Sequence, residues 1–421
     1  MPGDQSGLRV ALSALSHRDY SRFATSLFLT SIGVQLIQTA IFWQVYVLTG
    51  SALLLGLTGL ARAGPHVILS MVGGVLADRL DRVRLIQAGQ LGNALLVVAL
   101  AYLTFTGEVQ VWHLYVVTFL NSAFSALTQP ARTALITALI PPGNLVNAIA
   151  LNATIGQTAQ IAGPALAGVA IAYVDVGPVY LVNGLLYLVS MAVIAGVRVP
   201  VMRPAVIESP WRSFIEGLDF VRTKPVILSL LLLDVGATLF GSYRALLPVF
   251  AESLGVGPTG FGLLSAAPGV GALFGAAFIL SLGDMAYKGL YTVFGVLAYC
   301  VALVVLALSP WFLLALLAAA LLGTTNSVQM IPRNSVILTI SPNALRGRVE
   351  SFRSMLAGGA PPLGYTLSGV LATAMSPALA LVVGALACTA LVAGVGAWSR
   401  ELRRPDLGAA FPEPAVAGNS G

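Results

Sequence analysis

Charge is what this sequence has least of. Of its 421 residues only 9% are Asp, Glu, Lys or Arg, against about a quarter in an ordinary soluble domain. Hydrophobic residues make up 57%, and the mean hydropathy is +0.89. No segment is polar enough to clothe a soluble domain, which excludes a soluble enzyme and a disordered regulator. Cysteine is nearly absent: Cys300 and Cys388 both lie inside apolar runs, where the residue behaves as a small hydrophobe, so a disulfide scaffold is excluded and no metal site is expected. Three histidines form no metal-spaced cluster, there is no phosphate-binding Gly-Lys-Ser run, and no nucleophile–base spacing is recognisable. Neither an enzyme, a cofactor nor an ATP-driven pump is expected.

What is present is apolar length. A helix crossing the hydrocarbon core needs about 20 apolar residues. Runs of that length fall at 23–48, 52–77, 85–106, 111–139, 146–174, 178–198, 226–251, 259–282, 289–308, 311–340, 349–374 and 378–398. The expected fold is an all-α integral membrane protein with twelve transmembrane helices. Turn-forming clusters mark the joins, among them Thr49-Gly50-Ser51, Pro141-Pro142-Gly143 and Gly255-Val256-Gly257-Pro258. The ten-residue alternating segments of a β-barrel are not seen. The first apolar run is too long for a signal-peptide core and no small-residue cleavage site follows it, so the N-terminus is expected to be kept.

The few charges write the topology. Cytoplasmic loops retain Lys and Arg, and 18 of the 22 basic residues share one side when the N-terminus is placed inside. The opposite connections hold Glu108, Asp175 and Glu252 and no basic residue. The net charge of +6 is therefore topological, and nucleic acid is not an expected partner. Twenty of the basic residues are Arg, which with the Ala and Gly richness suggests a GC-rich bacterial genome. A multi-pass protein of the bacterial inner membrane follows, with both termini cytoplasmic.

A repeat appears at a spacing of about 200 residues. At an offset of 201, Arg132 falls on Arg333, Pro141 on Pro342, Gly163 on Gly364 and Gly168 on Gly369; at 206, Asp78-x-x-x-Arg82 falls on Asp284-x-x-x-Lys288. The chain then divides into a cytoplasmic N-terminus (1–22), a first six-helix bundle (23–198), a cytoplasmic linker (199–225), a pseudo-symmetric second bundle (226–398) and a disordered cytoplasmic tail (399–421). In the linker Trp211, Phe214, Ile215, Leu218 and Val221 recur at helical spacing opposite Arg212, Glu216, Asp219 and Arg222, as in an amphipathic helix lying on a membrane surface. Two parallel six-helix repeats around a substrate site are the plan of major facilitator transporters, and each chain holding both halves is expected to act as a monomer.

Two motifs carry a resemblance to that superfamily over nearly the whole chain. Gly74-Val-Leu-Ala-Asp78-Arg79-Leu-Asp81-Arg82-Val-Arg84 is similar to its loop motif G-x-x-x-D-R-x-G-R-x-R, with Asp81 where Gly is usual. The glycine would let two helices approach closely, and Asp78 at a helix end can pair with an Arg. The resemblance implies Arg132 as that partner and a conformational latch as the role, with Asp284 and Arg333 as counterparts in the second half. Ala159-Gln-Ile-Ala-Gly163-Pro164-Ala-Leu-Ala-Gly168 resembles the exporter motif G-x-x-x-G-P-x-x-G-G. Other segments, such as Arg346-Gly-Arg-Val, resemble the branch containing enterobactin and macrolide exporters. What these likenesses imply is a drug–proton antiporter type of export, with a small amphipathic drug or siderophore-like cargo and protons as partners. Proton-coupled or facilitative import of a small metabolite, and a non-transporting membrane sensor, stay open.

Ionisable groups inside a bilayer are costly and are functional candidates by default. Asp234 is the one carboxylate well inside a span and the leading proton carrier; His66, with an ordinary pKa near neutral, is the second. Arg62 and Arg244 join them, and together with Asp234 leave an expected cavity charge of +1, suited to neutral or anionic amphiphiles. Gln35, Gln38, Asn121, Gln129, Gln157, Gln160 and Asn326 sit about one turn apart on cavity helices, with Phe42 and Tyr243 offering apolar or stacking contact.

Overall fold

The breakers punctuate the structure where the sequence places them. In the computed structural model, which describes residues 13–198, 210–283, 285–342, 345–405 and 407, α1 (Arg18–Thr49) stops at Gly50. That residue takes the left-handed conformation, φ 59°, and its N–H caps Tyr46. Two residues on, the Ser51 hydroxyl caps α2 (Ala52–Arg79) by accepting from Leu54 N–H. α3 (Arg82–Phe105), α4 (Val111–Leu139), α5 (Leu145–Val174) and α6 (Val176–Ala195) complete the first half. The linker helix α7 (Pro210–Thr223) leads to α8 (Pro225–Phe240), α9 (Leu247–Ser253), α10 (Gly257–Ser281), α11 (Lys288–Ala307), α12 (Phe312–Ile340), α13 (Arg346–Ala374) and α14 (Pro377–Trp398). No strand occurs among the described residues.

With α8 and α9 taken together these make twelve spans, and the chain is an all-α membrane protein. Nine are long and apolar enough to cross a bilayer by length and composition. The other three, α2, α4 and α13, are as long but include the helices that carry Arg62, His66, Asn121 and Arg132. Short connections make successive spans antiparallel. One end of the protein, the near end, carries the 80–81 and 140–144 turns, α7, the start of α1 and the end of α14; the far end carries the 50–51, 106–110, 254–256 and 375–376 connections.

The seventh span departs from the continuous 226–251 helix expected. α8 ends at Gly241, a 3₁₀ turn covers Arg244–Leu246, and α9 opens with Pro248 in its first turn. Proline cannot supply the N–H that an unbroken helix needs. The Tyr299 hydroxyl donates to the Gly241 carbonyl at 2.8 Å, satisfying a group the break leaves open. The linker helix is seen, although the side chains of 211–214 lie outside the described residues. So do the residues of the tail from 408 on.

Asp81 resolves the turn after α2 without glycine. Its φ of −60° needs no left-handed residue, and its carboxylate caps α3 by accepting Arg84 N–H at 2.9 Å, a contact worth about 1 kcal/mol. Within the first half α1, α3 and α6 are joined by buried hydroxyls and amides. Gln90 donates to Ser190 Oγ at 2.7 Å, Ser190 to the Ser26 carbonyl at 2.8 Å, and Asn183 to the Gly33 carbonyl at 2.6 Å. Cys300 and Cys388 are buried and unbridged.

Candidate functional site

The halves meet along two seams, α2 against α13 and α5 against α10, and glycine sets both. A β-carbon on Gly56 would lie 2.7 Å from the Tyr365 carbonyl oxygen and 2.9 Å from Gly369 Cα; one on Gly369 would lie 2.6 Å from the Ala52 carbonyl oxygen and 2.7 Å from Gly56 Cα. The second seam repeats the first. A β-carbon on Gly262 would meet the Pro164 carbonyl oxygen at 2.5 Å and Gly168 Cα at 2.7 Å, and one on Gly168 the Pro258 carbonyl oxygen at 2.5 Å and Gly262 Cα at 2.7 Å. Ala52 and Gly56 map onto Pro258 and Gly262 at the offset of 206, and Pro164 and Gly168 onto Tyr365 and Gly369 at 201. The same backbone contact is thus made twice, towards the far end on both sides of the protein.

Aromatic rings close the space between the seams. Trp43 stacks on Phe261 with centroids 5.8 Å apart, and Phe42 meets Tyr365 edge-on at 5.8 Å. Gly163 packs on α1, where its β-carbon would fall 2.4 Å from that of Gln35. The motif read as an exporter signature is therefore a packing surface: Gly163 faces α1, while Pro164 and Gly168 face α10.

Below the aromatic closure lie two cavities of about 260 and 220 Å³. The first is lined by Gln38, Phe42, Arg62, His66, Asn121 and Gln129 among the expected residues, the second by Gln35, Gln129, Gln160 and Arg132. They share Val34, Ser125 and Gln129 and so adjoin, the second lying nearer the near end. Nearly all of their wall comes from the first half, with Tyr365 the contribution of the second. Asn121 donates to Asn93 Oδ1 at 2.9 Å and to Tyr187 Oη at 3.2 Å.

Other expected cavity residues line neither space. Gln157 bridges the halves by donating to the Gly269 carbonyl at 2.6 Å. Asn326 accepts from Gln329 at 3.2 Å. Tyr243 is buried and hydrogen-bonds Arg244.

Asp234 is likewise not a cavity group. Its carboxylate pairs with Arg333 of α12 at 2.6 Å, the two side chains being 12% and 4% exposed. Arg353 of α13, bound to Glu350 through its Nε at 2.8 Å, lies within electrostatic reach of both. The balance of Asp234 against Arg62 and Arg244 is therefore corrected: Asp234 is paired with Arg333. His66 does face the cavity and also spans the interface, since a β-carbon on Gly358 would fall 2.1 Å from its Nε2.

At the near end a β-carbon on Gly74 would meet nothing within 4 Å; the close approach expected there belongs to Gly73, whose β-carbon would fall 2.5 Å from the Ala126 carbonyl oxygen. Arg82 reaches the Ala77 and Ala134 carbonyls at 3.4 and 3.5 Å, tying α2 to the C-terminal end of α4. Arg79 is exposed. Asp284 and the side chain of Asp78 lie outside the described residues, so the latch with Arg132 is not described. On the second half Arg348 of α13 forms an ion pair with Glu216 of the linker helix.

Sequence reasoning missed Thr30, Gln90, Asn93, Thr118 and Tyr187 in the cavity wall. Gln90 and Asn93 stand one turn apart on α3, the same signal that singled out Gln35 and Gln38.

A profile of the transmembrane secretion effector family matches residues 10–417. The enterobactin exporter EntS of Shigella boydii serotype 4 is 24% identical over 350 residues, covering 83% of this chain and 84% of that protein, and EntS of Escherichia coli O81 aligns over the same shares. A bacterial homologue of the human lysosomal transporter Spinster, solved in an inward-facing and occupied conformation, superposes with a TM-score of 0.70 at 14% identity, over 92% of this chain and 98% of that one. The nucleoside transporter NupG gives 0.68 at 14%, over 90% and 98%. These structures share the fold.

Proposed function

The chain belongs to the transmembrane secretion effector family and is a multi-pass membrane transporter of the major facilitator type, not an enzyme; on that premise we propose that it exports a small amphipathic molecule, siderophore- or drug-like, from the cytoplasm by alternating access. The membrane is the bacterial inner membrane, and the basic near end with both termini faces the cytoplasm. One observation carries the reading: a cavity shut at the far end by a twice-made glycine contact continues towards a near end where Gly74 has open space. That is the state in which an exporter loads. The two EntS relatives named above are exporters, which favours export over import.

Proton antiport completes the proposal. A proton on Asp234 cancels its charge and leaves Arg333 without a counter-ion in dry surroundings, a state unstable enough to drive α8 and α12 apart. Deprotonation restores the pair. Everted vesicles energised inside-acid test the direction: they are expected to accumulate a catecholate siderophore, and a protonophore to abolish it. Uptake by right-side-out vesicles alone would turn the reading to import.

Gly74 gives a second test. Gly74→Leu has room in the present state, so the protein should fold with unchanged thermal stability, yet closure of the near end should fail and transport fall at least tenfold. Full activity in this variant would remove the loop motif from the cycle.

A further inference from the structure

We infer that the cargo carries a negative charge, received between Arg62 and Arg132; the inference rests on the transporter reading and names the substrate class of its cavity. The two guanidiniums line adjoining cavities, Arg62 the first and Arg132 the second, which share Val34, Ser125 and Gln129 as common wall. Neither cavity wall contains an Asp or Glu. Among the described residues neither guanidinium forms an ion pair. Asp234, the carboxylate the sequence offers to balance them, is held by Arg333 at 2.6 Å.

The repeat supplies an internal comparison. Arg132 and Arg333 occupy equivalent positions at the offset of 201. In the second half that arginine is neutralised by a carboxylate, and in the first it faces the cavity. A cation inside a membrane protein faces a water-filled cavity or takes a partner, and here the partner that the wall does not supply is assigned to the ligand.

The surroundings suit an acidic head on an apolar body. Tyr187 Oη accepts from Asn121 at 3.2 Å, which leaves the phenol its own proton to give to an anionic oxygen. Gln129 and Ser125 line both cavities, while Ile37, Ile41, Phe42 and Tyr365 share the wall of the first with Arg62. Guanidinium groups bind carboxylate, catecholate or sulfonate oxygens through paired N–H donors. Two of them in a wall without acids repel organic cations.

Three probes with one ring system separate the possibilities: naphthalene-2-sulfonate, 2-naphthol and a naphthyl trimethylammonium salt. Their binding to the full-length protein in nanodiscs is measured by equilibrium dialysis at low and high salt. The anion is expected to bind at least tenfold more tightly than the other two, with the preference shrinking in salt. Arg62→Gln and Arg132→Gln should each weaken the anion at least fivefold and leave naphthol unchanged, and Arg62→Lys should recover part of the loss. Equal affinities, no binding by any probe, or an anion preference that survives both Gln substitutions overturns the inference. Should a Gln variant fail to fold, the ranking and salt response of the unaltered protein decide it. Because binding is read without transport, an anion preference in a protein that fails the vesicle assay sinks the export reading alone.

Discussion

Replacing Gly168 by leucine is expected to cut transport at least tenfold while each half keeps its fold. Any β-carbon at this position falls 2.5 Å from the Pro258 carbonyl oxygen and 2.7 Å from Gly262 Cα, and both obstacles are backbone, which cannot rotate aside. The seam between α5 and α10 must spread. The far end then stays open, and the cavity loses its closed state. Labelling reads this directly: in a Gln38→Cys background, an impermeant maleimide added on the far side should leave the parent unmodified and modify the Gly168→Leu form. Native Cys300 and Cys388 are buried and contribute little background. Gly369→Leu, the repeat partner, should behave alike because its β-carbon meets Ala52 and Gly56 in the same way. Unaltered transport and labelling in both variants would show that the glycine seams do not seal.

The second large effect is expected at the buried pair. Asp234→Asn should abolish substrate-induced proton flux in proteoliposomes, read with an internal pH dye, while substrate binding persists. The change also leaves the Arg333 guanidinium, 4% exposed, without its counter-charge, a loss of about 3–5 kcal/mol for a buried pair broken on one side. A lowered Tm is therefore part of the result. The double variant Asp234→Asn with Arg333→Gln separates the two consequences, since a neutral pair removes the stranded charge. It should regain most of the thermal stability and stay uncoupled. Proton flux at half the parent rate or more in either variant would exclude Asp234 as the carrier.

Twelve spans, a break every 25 residues or so and a twofold repeat were legible from hydropathy, turn residues and spacing, because those depend on local chemistry. The offsets of 201 and 206 even contained the seams, although the residues they relate had to be seen facing one another first. What spacing does not encode is partnership across the fold. Asp234 and Arg333 are 99 positions apart, and nothing local separates Arg333 from the unpaired Arg132. In the loop motif the pattern shows two adjacent glycines but not which side of α2 meets α4, so Gly74 was credited with the contact that Gly73 makes. The break in the seventh span was hidden for a related reason: Gly241 and Pro248 are tolerated inside many membrane helices, and the deciding group, the Tyr299 hydroxyl, lies on another helix. Cavity residues were half found. Polar side chains one turn apart mark a stripe, and only packing shows which stripes face the lumen and which, like Gln157, tie helices together.

The doubled seam has the form of an isologous interface. Residue i of one half touches residue j of the other, and j of the first touches i of the second, which is the rule for a homodimer built about a twofold axis. Here both protomers of such a dimer are joined in one polypeptide. A dimer of identical halves would carry two copies of every cavity charge and every ion pair; this chain keeps one of each, with guanidiniums exposed to the lumen on the first half and the neutralised arginine on the second. The bearing surfaces have stayed symmetric because both must part and close together. The groups proposed to handle cargo and protons are free to differ between the halves, and fusing the halves into a single chain is what permits that division of labour.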